Sequence, residues 1–251
     1  MRPLRCAVKL AAVTAVTAAL FLTLLVTVPL IRALGGSPAL WKSRVFRAWS
    51  RSLASIIGLR VSVLGTPPSP PFLLVSNHLS YVDMIVLASH VHGVFIAKGE
   101  VGSWPIVGRL CRAVDTLFIA RGQKRDIPRV LAEVESILRE GRGVVLFPEG
   151  TSTQGSMVLP FRPSLLETAA RAGIPVSYAA LTYRTPVGSP PAALAVCWWG
   201  DMPFLRHLLR LLSLPTFEAK VVFGGRPIEP EDRKVLAVRL WEAVQQQFQP
   251  V

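Results

Sequence analysis

Phe72-Leu73-Leu74-Val75-Ser76-Asn77-His78-Leu79-Ser80-Tyr81-Val82-Asp83 reads as a strand, a turn and the start of a helix. Phe72 to Val75 is an apolar run of strand length, and Tyr81 to Ser89 has helical spacing. His78 then sits at the strand's exit and Asp83 about one turn into the helix, where its carboxylate can fold back under the imidazole. Imidazole titrates near neutral pH, so a positioned His can take a proton from a hydroxyl and return it. A neighbouring carboxylate fixes the tautomer and stabilises the imidazolium. The same residues also fit a polar turn followed by an acid in a helix's first turn, where acids are favoured on electrostatic grounds alone.

Outward from this stretch, apolar runs alternate with helical patterns. Val94–Ala97, Leu117–Ile119, Val144–Phe147, Leu194–Val196 and Ala219–Phe223 are strand candidates. Helices are expected over Ile127–Arg139, Arg162–Ala172, Pro203–Leu212 and Pro230–Phe248. This alternation predicts an α/β fold, a single domain with a mostly buried mixed sheet flanked by helices. The run from Val144 ends in Phe147-Pro148-Glu149-Gly150-Thr151. Pro148 cannot continue a central ladder, and Gly150 lets the backbone approach a ligand. By itself this is also simply a turn with an exposed acid.

The two segments, in this order and behind an apolar N-terminal helix, resemble the 1-acylglycerol-3-phosphate O-acyltransferase family from about Phe72 onward. The resemblance implies that His78 is the base and that Asp83 orients it. It implies that Glu149 bonds a glycerol hydroxyl or holds neighbouring cations, while Gly150 and Thr151 shape the pocket. Lys98 and Arg121 resemble basic family positions associated with phosphate. Two departures stand out. Ser152 occupies the place where the family usually has a phosphate-binding Arg, with Arg162 the nearest local replacement. Tyr178 stands where a second proline usually follows Pro175. The block Cys197-Trp198-Trp199-Gly200-Asp201-Met202-Pro203-Phe204, with His207, resembles one seen in some bacterial members.

Charge is unevenly distributed along the 251 residues. No acid precedes Asp83, while Arg2, Arg5, Lys9, Arg32, Lys42, Arg44, Arg47, Arg51 and Arg60 do, so 9 of the formal +13 lies in the first 82 residues. A basic surface beside an apolar helix suits an anionic membrane face, and no nucleic-acid motif accompanies the charge. Leu10 to Ile31 is 22 uncharged residues, long enough to cross a bilayer. A helix dipping into one leaflet, or a signal peptide, shares these features. Pro38 to Leu59, with Trp41, Val45, Trp49 and Leu53 at four-residue spacing among cations, is expected to lie in the membrane interface. An amphipathic helix packed on the domain has the same pattern. Thr66 to Pro71 reads as a stiff linker, giving a membrane segment over 1–65 and an acyltransferase domain over 66–251. Cys6, Cys111 and Cys197 are widely spaced and suggest neither disulfides nor zinc. The domain is accordingly expected to face the cytoplasm.

The expected activity is direct O-acyl transfer from acyl-CoA or acyl-carrier protein to 1-acylglycerol-3-phosphate, with no cofactor and no metal. The partners are a membrane lysophospholipid and the thioester. A relative acting on another lysolipid, such as lyso-ornithine lipid or lysophosphatidylcholine, is the enzyme alternative. A basic membrane-binding module is the non-enzyme one.

Overall fold

The computed structural model describes residues 2–119 and 126–251. Helices α1 (Arg2–Ala33) and α2 (Ala39–Ile57) lead into β1 (Leu59–Leu64), β2 (Phe72–Ser76), α3 (Val82–Ala88), β3 (Gly93–Lys98), α4 (Gly99–Gly102), α5 (Val107–Ala113) and β4 (Leu117–Ile119). There follow α6 (Asp126–Arg139), β5 (Gly143–Leu146), a 3-10 turn (Pro163–Leu166), α7 (Glu167–Ala172), β6 (Val176–Arg184), α8 (Ala192–Ala195), α9 (Phe204–Ser213), β7 (Phe217–Phe223) and α10 (Arg233–Gln247).

Seven strands form one sheet in the order β1-β7-β6-β2-β5-β3-β4. The sheet is mixed, because β6 and β7 pair antiparallel while every other neighbouring pair is parallel. Strands covered on both faces read as continuous apolar runs, and β2 and β5 are buried throughout. Since β2, β3, β4, β5 and β6 run the same way, the loops leaving them meet along one edge. That carboxyl edge is where ligands bind open α/β sheets.

Three local expectations give way. Leu194–Val196 belongs to the short helix α8 and its C-cap rather than to a strand. Short apolar runs do not distinguish the two states by periodicity, and Pro191 at the N-cap begins a helical turn here. Strand β6 was not expected; its Ala179, Ala180, Leu181 and Tyr183 are buried between β2 and β7. Leu59, taken as the end of a helix, starts β1, whose register with β7 puts part of the sheet before the proline-rich linker.

Helix α2 is docked on the domain. Phe46, Leu53, Ala54 and Ile57 enter the main core. Trp41 and Trp49 turn toward α1, their indole N–H groups donating to Thr27 Oγ1 at 2.7 Å and Thr17 Oγ1 at 3.1 Å. Arg47 and Arg51 both donate to the Ser89 carbonyl at the end of α3, where helix dipoles favour cations. Helix α1 packs Leu20, Leu24 and Val28 against α2 and α5. Its Lys9 ammonium donates to the carbonyls of Ile57 at 2.7 Å and Leu214 at 2.8 Å. The outer face of α1 exposes Leu22, Leu25, Val26 and Leu30. An 18-residue window within Pro3–Ala33 has a mean hydropathy of 2.3, and the helix is long and apolar enough to cross a membrane.

Candidate active site

The register of two strands assembles the site. Strand β2 pairs with β5 so that Val75 faces Leu146, an offset of 71 residues. The same offset carries past the strand ends, where the His78 backbone N–H donates to Glu149 Oε1 at 2.7 Å across 71 residues of sequence. The two motifs are thus neighbouring exits of adjacent parallel strands.

The backbone of the turn is held by partners from several segments, as buried turns require. Asn77 is fully buried, and its amide takes both ladder positions opposite Leu181: Nδ2 donates to the Leu181 carbonyl at 2.9 Å and Oδ1 accepts its N–H at 2.7 Å. The His78 carbonyl accepts the Thr153 N–H at 3.0 Å, and the Leu79 carbonyl accepts the Trp198 N–H at 2.8 Å. Asp83 Oδ2 accepts the N–H groups of Leu79 at 2.6 Å and Ser80 at 3.0 Å.

The same Oδ2 lies 2.7 Å from His78 Nδ1. Asp83 is fully buried, and its other oxygen accepts the Tyr183 hydroxyl at 2.7 Å. Four donors compensate the buried carboxylate, as a buried charge needs. The His78 side chain is 23% exposed, and its ring stacks on Phe147 with centroids 4.3 Å apart. With Nδ1 held, Nε2 is the open nitrogen, with no hydrogen-bond partner among the described residues. This is the arrangement of an oriented general base.

Glu149 is committed to backbone donors. It is 2% exposed, and its second oxygen accepts the Leu159 N–H at 2.9 Å. Both oxygens therefore hold backbone, and the side chain is not on the cavity wall. Burial pushes its carboxyl up to about 7 despite those two donors, with the Asp83 charge adding to the rise. Glu149 joins the His78 turn to the loop after β5.

Beside His78 opens a cavity of about 490 Å³ with a largely apolar lining. Lys98, Gly150, Ser152 and Arg162 line it, whereas Thr151 does not. Gly150 has φ +71°, and a Cβ there would lie 2.9 Å from Arg162 Nε, so the guanidinium stem crosses the bare glycine. No acid among the described residues pairs with Arg162. Arg121 falls outside the described residues. Tyr178 lies away from this wall, its ring packed over Gly224, where a Cβ would come within 2.3 Å.

Sequence reasoning missed three contributors. Tyr183 is 100 residues from the carboxylate it supports, and no local pattern marks it. Asn77 was quoted without a role. The Cys197–Phe204 block had no assigned role either; it supplies Trp198 and Phe204 to the cavity wall, beside Tyr81 and Trp104. His207 is buried, with Nδ1 3.0 Å from the Tyr81 hydroxyl, and burial lowers its pKa. It braces the wall.

Comparison with known proteins now bears on the chemistry. A family model described as Acyltransferase matches residues 60–181. The chain is 35% identical to the lyso-ornithine lipid O-acyltransferase of Rhodobacter capsulatus, over 89% of this chain and 83% of that protein. It is 32% identical to the 1-acyl-sn-glycerol-3-phosphate acyltransferase of Neisseria gonorrhoeae, over 84% and 82%. The fold resembles the crystal structure of the 1-acyl-sn-glycerophosphate acyltransferase of Thermotoga maritima, with a TM-score of 0.55, 20% identity and 98% of both chains covered.

Proposed function

The chain belongs to the acyltransferase family that acts on lysolipids, and on that footing we propose that its acceptor is a lyso-ornithine lipid. Such a lipid carries an acyl chain amide-linked to ornithine, with a free hydroxyl on the chain and a headgroup of one carboxylate and one ammonium. The observation that carries the chemistry is His78 on the wall of an apolar cavity, with Nδ1 2.7 Å from Asp83. Nε2 takes the proton of the acceptor hydroxyl as its oxygen attacks the thioester carbonyl. The C–O bond forms and the C–S bond breaks. The thiolate leaves with the proton held on the imidazolium, so no covalent acyl-enzyme is needed. The buried Asp83 charge stabilises the transient cation.

Two observations support this acceptor. The chain shares 35% identity with a lyso-ornithine lipid enzyme over most of both lengths. Ser152 stands on the cavity wall where the family resemblance leads one to expect a phosphate-binding Arg. A phosphate needs several donors, while one guanidinium can hold a carboxylate through two bonds. The second reading is 1-acylglycerol-3-phosphate, favoured by the Neisseria relative and by two cations, Lys98 and Arg162, lining one cavity.

The donor is acyl-CoA or acyl-carrier protein. Helix α1, with its exposed apolar face, holds the enzyme at the membrane, and the catalytic domain faces the cytoplasm. The test is acyl transfer by detergent-purified protein from labelled acyl-CoA or acyl-carrier protein to each lysolipid, beside His78→Ala. Ornithine lipid that forms with the wild type and disappears in the variant is the expected result. Phosphatidic acid alone would make the second reading correct.

A further inference from the structure

Glu100 and Trp104 lie four residues apart at the α4 turn, and both line the cavity that holds His78. Glu100 is the only carboxylate among the described residues of that wall. It is exposed, and its side chain makes no hydrogen bond or ion pair among the described residues, unlike Asp83 and Glu149, whose carboxylate oxygens are all committed. Trp104 belongs to a group of rings that meet edge to face. It lies 5.3 Å from Phe204 at 65° and 6.5 Å from Trp198 at 77°. Tyr81 lies 5.2 Å from Phe204 and 5.9 Å from Trp198. A cluster of aromatic rings on the same wall as a carboxylate attracts a cation. Arg162, on the same cavity, offers the opposite charge.

We infer that Glu100 and the indole of Trp104 receive the ammonium of the acceptor headgroup while Arg162 holds its carboxylate. This rests on the lyso-ornithine reading and deepens it, because the cavity then selects a zwitterionic amino-acid headgroup. A phosphate in the same place gains nothing from the aromatic faces and is repelled by Glu100. The subsite differs from the general base in function: it sets which lipid enters, not how the proton moves.

The experiment compares two synthetic acceptors with the same 3-hydroxyacyl chain, one on ornithine and one on norvaline. Norvaline keeps the carboxylate and lacks the ammonium. The wild type is expected to prefer the ornithine lipid by about tenfold or more in kcat/KM. In Glu100→Gln the preference collapses to about threefold or less, and Glu100→Asp recovers part of it. The readout is a ratio within one preparation, so a general loss of folded enzyme cancels. Equal use of both lipids by the wild type, or an unchanged ratio in Glu100→Gln, overturns the subsite alone. A wild type that acylates neither lipid but does acylate 1-acylglycerol-3-phosphate overturns the acceptor reading and the subsite with it.

Discussion

Glu149 Oε1 accepts the backbone N–H of His78 at 2.7 Å, so the acid of the second motif holds the turn of the first. The second oxygen ties in Leu159. Glutamine at this position keeps one acceptor and turns an NH2 toward the other N–H. The His78 turn should then shift by a fraction of an ångström, which is costly where reacting atoms must be aligned. Glu149→Gln is expected to lower kcat by about a hundredfold while leaving KM for the lysolipid within about threefold. Steady-state kinetics on folded protein check this. A raised KM at normal kcat would return Glu149 to the substrate pocket.

The same carboxyl makes stability depend on pH in an unusual direction. Its ordinary value of 4.5 rises to about 7 in the fold, because burial outweighs the two donors. The folded chain therefore binds this proton more tightly than the unfolded chain. Between those two values the group's contribution becomes less favourable as pH rises, and the penalty is complete above about 7. The size is on the order of 3 kcal/mol. Glutamine does not titrate, so the stability of the wild type relative to Glu149→Gln should fall from pH 4.5 to pH 7.5. Denaturant melts of both proteins in one detergent measure the difference. A gap that does not move with pH would mean that Glu149 stays ionised throughout.

Asp83 and Tyr183 separate orientation from support. Asp83→Asn removes the carboxylate that fixes the His78 tautomer and places a donor among the N–H groups of Leu79 and Ser80. Turnover should fall about a thousandfold or more, close to the loss in His78→Ala. Tyr183→Phe removes one of four donors, costing about 1 kcal/mol of stability and no more than about tenfold in kcat. Acyl-transfer assays on the three variants give the order. If Tyr183→Phe matched Asp83→Asn, the hydroxyl would have a role beyond holding the carboxylate.

What could be read in advance follows the range of each interaction. His78 and Asp83 are five residues apart, so a strand, a turn and a helix suffice to bring them together. Helices α6, α9 and α10 carry their own periodic pattern and were legible. Strand β6 was not: in Val176-Ser177-Tyr178-Ala179-Ala180-Leu181-Thr182 the short apolar run is half alanine, which favours helix over strand, and there is no clean alternation. Its strand character comes from filling the gap between β2 and β7. Glu149 was legible as a motif residue, but its partner was set by the β2–β5 register, which no local pattern contains. The Trp-rich block after α8 was noticed and left without a role, because its rings meet Tyr81 and Trp104 only in three dimensions.

Gly150 and Arg162 should behave as one unit. Gly150 sits at φ +71°, and an added Cβ would stand 2.9 Å from Arg162 Nε and 3.1 Å from its Cδ and Cζ. Alanine at 150 is strained by its backbone and pushes the guanidinium off its course along the cavity wall. On the proposed reading Arg162→Ala removes a charge-assisted contact to the acceptor and should raise its KM by about ten- to a hundredfold. Gly150→Ala should raise KM by about tenfold through the same side chain. Once Arg162 is gone, the methyl at 150 has little left to displace. The double variant should therefore bind acceptor about as poorly as Arg162→Ala alone, a coupling that separate effects do not produce. Titration of the lysolipid in mixed micelles, with all four proteins at fixed acyl donor, measures the cycle. Additive losses would mean that Gly150 shapes the pocket independently of Arg162.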